Sequence, residues 1–455
     1  MKHAVVIGGG ISGVTAAHAL SGAGWRVTLV ESGAHLGGKL ARAEVGGVIV
    51  DVGAEAMLNL RPEAVALTRA VGLTDDIVHP ATTAANLWCR GALTPMPRTL
   101  MGVPGDPQAL TGIVSAKGIA RARLEARMAP VMLAEGEDVS IGGLVEERFG
   151  KEVVDRLVEP LLGGVYAGYA RELSLRATVP QLAAAIDGQR TLTQIAAASV
   201  SRPTGGIPVF AGISGGMGRL PDAVAEASGA EVRLRTTVVS LVRGSDEWTV
   251  HLRQGAELEA LAADAVVLAV PPASAAHLLQ PIATRAAHEL DRIDTASMAV
   301  VTLAFAARDL PAIPGSGFLT PAVDGRQVKA ATFAANKWDW VRVAGDPGGV
   351  RVLRASVGRY RDDAVLQRTD RDIVDLVLAD LADAIGLSVR PVDSHVQRWL
   401  GGLPQYAVGH LDRVAAVRRD VAAVPGLAVC GAAYDGVGIA ACVASAQTAA
   451  SQITG

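Results

Sequence analysis

The opening stretch, MKHAVVIGGGISGVTAAHALSGAGWRVTLVE, constrains the fold more than any other part of the chain. KHAVVIG reads as a strand buried on both faces. Gly8-x-Gly10-x-x-Gly13 follows at once, and VTAAHALSGAG then reads as a helix ended by Gly22 or Gly24. WRVTLVE reads as a second strand, with Glu31 at its carboxyl end, 18 residues beyond Gly13. The spacing predicts a β-α-β unit that binds a dinucleotide. Gly8 permits the tight turn, Gly10 lets backbone approach a pyrophosphate, and Gly13 lets helix and strand touch. The helix N-terminus offers free N–H groups to phosphate. A carboxylate at Glu31 accepts ribose hydroxyls and repels a 2′-phosphate, which disfavours NADP.

The next segment, ESGAHLGGKLARAEVGGVIVDVGAEAML, separates the two remaining dinucleotides. Gly37-Gly38-Lys39 makes a second glycine turn, with more N–H donors and a point charge for a pyrophosphate. A hairpin around Gly46-Gly47 leads to Asp51-Val52-Gly53-Ala54. NAD does not need this second cradle, whereas an extended FAD does, so the motif favours FAD.

Composition narrows the setting. Half of the 455 residues are apolar, which argues against disorder, and aromatics make up only 4%. The net charge is −3 without a strongly basic stretch, so nucleic acid is not expected as a partner. Cys89, Cys430 and Cys442 have no metal-ligand spacing and read as reduced thiols in a cytosol, and no metal is expected. The first strand starts too close to Met1 for a signal peptide. Apolar runs such as SMAVVTLAFAA are shorter than the ~18 residues of a spanning helix. A cytoplasmic protein is expected, with at most peripheral contact to a membrane.

Further along, residues 60–80 hold a helix started by Pro62 and stopped at Gly72. Residues 107–200 read as mostly helical, with Ser140 or Asp138 as a cap near the centre. EVRLRTTVVSLVRGSDEWTVHLRQG reads as strands with a turn near Gly244-Ser245, and ADAVVLAVPP as a buried strand. SMAVVTLAFAA, QVKAATFAA and VRVLRASVGRY read as strands of a second, more open sheet. TDRDIVDLVLADLADAIGL is an amphipathic helix capped by Thr369 or Asp370. The chain closes with strand, glycine turn and Ala-rich helix in PGLAVCGAAYDGVGIAACVASAQTAASQI. That helix N-terminus suits the negative charge of a reduced flavin.

These motifs together resemble the FAD-dependent protoporphyrinogen and coproporphyrinogen oxidases. The likeness runs through VVIGGGISG, ESGAHLGGKL, LTPMPRTLMGVP, FGKEVVDRLVEPLLGGVYAG, SLRATVPQL, LPQYAVGHLDR and CGAAYDGVGIAACVASAQTAA. The last two are the most specific. The resemblance implies an α/β (α+β overall) fold with three domains. A Rossmann-like FAD-binding domain would span 1–70, 208–272 and 401–455. A discontinuous mixed-sheet substrate domain would span 71–92 and 273–400, and a helical domain 93–207. It further implies that Gly8, Gly9, Gly10, Ile11, Ser12, Gly13, Glu31, Ser32, Gly38, Lys39, Gly53, Ala54, Glu55, Ala56, Val238, Trp399, Ala432, Val437, Gly438 and Ile439 touch FAD. Val238 would do so through its backbone, at adenine. Two departures stand out: Gly53-Ala54-Glu55-Ala56 replaces Gly-Pro-Asp-Ser, and Gly438-Ile439-Ala440 replaces Gly-Ile-Pro.

By the same resemblance the reaction is the six-electron oxidation of a porphyrinogen in haem biosynthesis. Hydride passes to flavin N5, and O2 reoxidises the flavin to give H2O2. Flavin N5 is the acceptor and no catalytic side chain is expected, which agrees with the lack of a triad, paired carboxylates or a metal cluster. Arg61 falls where related enzymes carry a base toward a propionate; a solvated charge at a helix start is an equal reading. Val165, Tyr166 and Leu319 would flank the macrocycle, or else are plain core. Composition, by association only, favours coproporphyrinogen III over protoporphyrinogen IX. A ferrochelatase would receive the product. A flavin amine oxidase is a rival, against which the low aromatic content speaks.

Overall fold

The computed structural model describes residues 1–201 and 205–455. Its first sheet has five parallel strands in the order Glu231–Arg233, Arg26–Val30, His3–Ile7, Ala265–Leu268, Leu427–Val429. Ala4, Val5 and Val6 of the central strand are wholly buried, as a strand covered on both faces must be. On one face Val6, Leu29 and Val267 pack under the helices Ile11–Gly22 and Ile439–Thr454. On the other, Val5, Ile7 and Leu268 meet the helices Pro272–Leu279, Thr284–Asp291 and His410–Ala422. The first and last helices share a core through Val14, Ala17, Val443 and Ala446, and Ser12 Oγ donates to the Cys442 carbonyl at 3.2 Å. Both ends of the chain thus build one unit.

The second sheet has seven mixed strands, in the order Asp393–Pro404, Thr295–Ala306, Val350–Val357, Val328–Thr332, Gly317–Leu319, Ala85–Cys89, Ala92–Pro95. Ala85–Cys89 runs parallel to Gly317–Leu319, so an early segment closes a sheet made mainly from residues after 294. The Asp370–Ile385 helix covers one face of this sheet. Thr369 caps it by accepting from the Asp372 amide at 3.2 Å, which settles that cap in favour of Thr369.

Between 107 and 200 the chain is chiefly helical, with side-chain caps at Ser115, Ser140, Ser174 and Thr191. Ser140, not Asp138, caps Ile141–Phe149. Asp138 instead accepts from Ser174 Oγ (2.8 Å) and the Gly409 amide (2.9 Å), tying this region to the LPQYAVGH segment. EVRLRTTVVSLVRGSDEWTVHLRQG forms strands with a turn after Arg243, as expected, and they divide between two sheets: Glu231–Arg233 edges the parallel sheet, while Thr237–Arg243 starts a separate antiparallel meander. The split follows from Arg235, whose φ of 54° breaks the extended run.

Candidate functional site

The glycine turn at the head of the first helix is set by sterics. Gly8 has φ +106°, and a Cβ there would lie 2.4 Å from the Ala269 carbonyl oxygen. A Cβ on Gly13 would lie 1.7 Å from the Gly8 carbonyl oxygen, so helix and strand touch through bare backbone. Gly10 differs: a Cβ there would meet nothing within 4 Å. It is the N-cap of Ile11–Gly22, and no side chain caps that helix. The helix head therefore faces open space with its N–H groups free, as a phosphate cradle requires.

The second glycine turn folds onto the first. The Gly37 amide donates to the Gly9 carbonyl at 2.8 Å, Gly10 and Gly37 form a bridge, and a Cβ on Gly38 would lie 3.3 Å from Gly10 Cα. Lys39 follows, exposed and in no ion pair among the described residues. Glu31 closes the other side: its carboxylate accepts from the Gly9 amide (2.7 Å), the Gly33 amide (2.6 Å) and Ser32 Oγ (3.2 Å). Thr236 donates its amide to the Glu31 carbonyl at 2.9 Å, which brings Val238 in beside the same turn.

The 53–56 segment lies alongside. The Ala54 amide donates to the Lys39 carbonyl at 3.0 Å, and Trp399 Nε1 donates to the Val52 carbonyl at 3.1 Å. Glu55 is engaged by its side chain elsewhere. Lys337 Nζ lies 2.7 Å away, and Arg354 pairs with its other oxygen while also donating to the Gly53 carbonyl. Burial alone would push Glu55 up, but Arg354 and Lys337 hold it at about 2. Its carboxylate pins this loop to the seven-stranded sheet. The residue that departs from the family pattern is thus a strut, with only its backbone free to face a cofactor.

The last helix contributes a second uncapped N-terminus at Gly438, where a Cβ would again meet nothing within 4 Å. The loop before it, holding Ala432 and Val437, is held by Tyr406. That hydroxyl donates to the Ala432 carbonyl (2.6 Å) and accepts from the Gly436 amide (2.8 Å). Val437 packs in the same cluster as Tyr166 and Leu319, and the Tyr166 and Tyr406 rings lie 5.5 Å apart. A Cβ on Gly164 would sit 3.6 Å from Leu319, so the Glu159–Tyr166 helix faces the Gly317–Leu319 strand. Val165 is exposed and Tyr166 buried. Among the described residues Arg61 makes no side-chain hydrogen bond or ion pair to this group; its guanidinium is paired with Glu63, at the start of its own helix.

Tyr406, Gln405, Arg354 and Lys329 were not singled out from sequence. Gln405 donates to the Tyr166 carbonyl at 2.7 Å and so fixes the end of that helix. Lys329 had a visible signal: it is one of six lysines and sits in the apolar run QVKAATFAA. Arg354 had none, because VRVLRASV reads as an ordinary alternating strand.

The residues fit an extended dinucleotide: two uncapped helix heads and a second glycine turn converge, and room is left where the two open glycines, Gly10 and Gly438, would otherwise carry side chains. Comparison with known proteins agrees. The profile of the family described as flavin containing amine oxidoreductase matches residues 11–454. The chain is 38% identical over 450 residues to the coproporphyrinogen III oxidase of Mycobacterium leprae, covering 98% of this chain and 96% of that one. It is 31% identical over 470 residues to the coproporphyrinogen III oxidase of Bacillus subtilis, covering 99% and 97%. A crystal structure from Exiguobacterium, provisionally described as a protoporphyrinogen oxidase, superposes with a TM-score of 0.89 at 31% identity, covering 100% of this chain and 98% of that one.

Proposed function

The chain belongs to the flavin containing amine oxidoreductase family, and on that premise we propose that it holds FAD and oxidises coproporphyrinogen III to coproporphyrin III in haem biosynthesis. The observation that carries this reading is the convergence of both chain ends on one cradle whose far side is the Val437–Tyr166–Leu319 cluster. Three O2 accept the six electrons and six hydrogens removed, giving three H2O2. When bound, the flavin supplies the two-electron acceptor for each oxidation at a bridge carbon.

The chain's own groups position and shield. The backbone N–H groups at Gly9–Gly13 and at Gly37–Lys39 would hold the pyrophosphate, and Lys39 would add a charge. Glu31 would exchange its hold on the Gly9 and Gly33 amides for ribose hydroxyls. Gly438 and Ile439, at the head of the last helix, would stabilise negative charge on the reduced ring system. Tyr166, Val165 and Leu319 would bound the macrocycle and exclude water. Residues 1–70, 208–272 and 401–455 would act as the cofactor domain, 71–92 and 273–400 as the substrate domain, and 93–207 as the helical domain. No described helix is long and apolar enough to cross a membrane. The product is a free porphyrin, ready for a metal-inserting enzyme such as a ferrochelatase.

The test gives both porphyrinogens to the purified yellow protein under air and follows porphyrin fluorescence and peroxide. Coproporphyrinogen III should be oxidised much faster. Equal rates, or oxidation of protoporphyrinogen IX alone, would overturn the substrate assignment.

A further inference from the structure

A buried ammonium without a counter-charge is costly, so where one is found something normally compensates it. Lys329 is 5% exposed, yet among the described residues the only hydrogen-bond partner of its ammonium is Met298 Sδ at 3.5 Å. No carboxylate lies within ion-pair distance among the described residues. The position has a local cause: the strand pairing slips between Val328 and Ala330, which turns Lys329 out of register.

Lys329 lines a narrow cleft with free space of about 10 Å3, partly open to solvent, together with Arg359, Thr320, Glu159, Gly163 and Gly168. Arg359 gives Nη1 to the Arg326 carbonyl at 3.3 Å, but its Nη2 has no partner. Thr320 Oγ1 has none either, although Thr320 is 2% exposed. The one acid present, Glu159, accepts from the Ala170 amide at 2.8 Å and reaches neither cation. Arg359 Nη2 and Thr320 Oγ1 are unpartnered and Lys329 Nζ has only a thioether, and all three residues line one cleft whose single acid is turned to backbone. Burial, with Arg359 adding repulsion, lowers Lys329 to about 7. An incoming anion would restore its charge.

The cleft adjoins the proposed substrate wall. Thr320 follows Leu319, and Gly163 and Gly168 flank Val165 and Tyr166 in the chain. Resting on the porphyrinogen reading above, we infer that Lys329, Arg359 and Thr320 form a carboxylate subsite that takes one propionate of the substrate. Lys329 supplies a point charge, Arg359 a second charged donor, and Thr320 a neutral donor. The cleft has room for about one water as it stands, so the Lys329 and Arg359 side chains would part to admit the propionate carboxylate while the macrocycle stays against Tyr166 and Leu319.

The test titrates flavin-loaded wild type, Lys329→Met and Arg359→Gln with coproporphyrin III and with its tetramethyl ester, in one detergent buffer, by porphyrin fluorescence. The ester keeps the macrocycle and lacks every carboxylate. Wild type should prefer the acid. Each variant should lose about 10-fold or more in acid affinity, with ester affinity unchanged. KM for coproporphyrinogen III should rise in parallel, at normal flavin content. Equal loss for acid and ester, or no loss in either variant, would overturn the subsite. Arg359→Gln alters a half-buried residue and stands as the second probe if Lys329→Met fails to fold. A melting shift by 0.1 M acetate in wild type but not in the variants, with unchanged porphyrin affinity, would assign the site to free small anions and likewise overturn it. Wild type that binds neither porphyrin would instead sink the functional reading itself.

Discussion

Tyr406 and Gly436 are joined by a 2.8 Å hydrogen bond in which the Gly436 amide donates to the Tyr406 hydroxyl. The same hydroxyl donates to the Ala432 carbonyl at 2.6 Å, so one atom grips both sides of the loop that leads into the last helix. Tyr406 is 1% exposed, and its own carbonyl accepts from the Ser174 amide at 2.7 Å. The ring therefore links the helical region to the proposed flavin loop. Tyr406→Phe leaves two buried backbone groups unpaired and should cost about 1–3 kcal/mol. Denaturant unfolding checks the stability, and absorbance near 450 nm checks the retained flavin, which should fall. Wild-type stability with full flavin content would show that the loop holds its course without this hydroxyl.

Two glycines a few residues apart should respond in opposite ways to alanine. Gly10 has φ −70° and ψ 174°, which alanine adopts freely, and its Cβ would enter open space. Gly10→Ala should fold with nearly unchanged thermal stability of the flavin-free protein while losing most flavin affinity, because the methyl occupies the phosphate approach. Gly13→Ala drives a Cβ to 1.7 Å from the Gly8 carbonyl oxygen and must part helix from strand. It should express poorly or unfold well below wild type. Apo-protein melting together with flavin titration separates the two, and parallel behaviour would refute the cradle assigned to Gly10.

These contrasts show what sequence can carry. The β-α-β unit was legible because its glycines answer to local sterics and its acid to a fixed spacing. The closeness of the two chain ends was legible for the same reason, as each end repeats strand, glycine turn and helix. The Glu55–Arg354–Lys337 triad was not, since Glu55 lies 299 residues from Arg354 and 282 from Lys337 and meets them only where its loop packs on the Val350–Val357 strand and the Ala334–Lys337 helix. Arg61 reads equally as a propionate contact and as a solvated charge at a helix start; its half-exposed guanidinium pairs with Glu63, which suits either role, and nothing in the local pattern distinguishes the two. The strands of EVRLRTTVVSLVRG were legible, but their division between two sheets at Arg235, a residue of positive φ, leaves no mark in an alternating run.

His410 gives the fold a dependence on mild acid. Its ring stacks on Tyr406 at 3.9 Å and is wholly buried. Burial, with Arg413 second, lowers its pKa to about 4, against about 6.5 for an unfolded histidine. Between those values the unfolded chain binds the proton and the fold does not, so stability falls as pH drops from about 6.5 to about 4. His410→Phe keeps an aromatic ring on Tyr406 and removes the titration. Urea midpoints at pH 7 and pH 5 should differ less in the variant than in wild type. An equal drop in both would assign the acid sensitivity to other groups.

Glu55 acts in a lower window with the opposite ionic sense. Its folded pKa of about 2 lies below the usual 4.3 or so, so its contribution is complete above the unfolded value and fades as pH falls toward 2. Arg354 is 9% exposed at its side chain and Lys337 21%, so removing the carboxylate strands one cation in the interior. Glu55→Gln keeps the shape and loses the charge. It should destabilise by about 3–5 kcal/mol at pH 7, the usual result of breaking one partner of a buried pair. It should also loosen the 53–56 segment, and with it the Trp399 contact at Val52, so flavin affinity falls although the carboxylate itself touches no cofactor. Arg354→Met combined with Glu55→Gln removes the stranded guanidinium and should recover part of the lost stability. Denaturant unfolding of the two single variants and the double variant measures that coupling, and additive losses would show that Glu55 and Arg354 do not depend on one another.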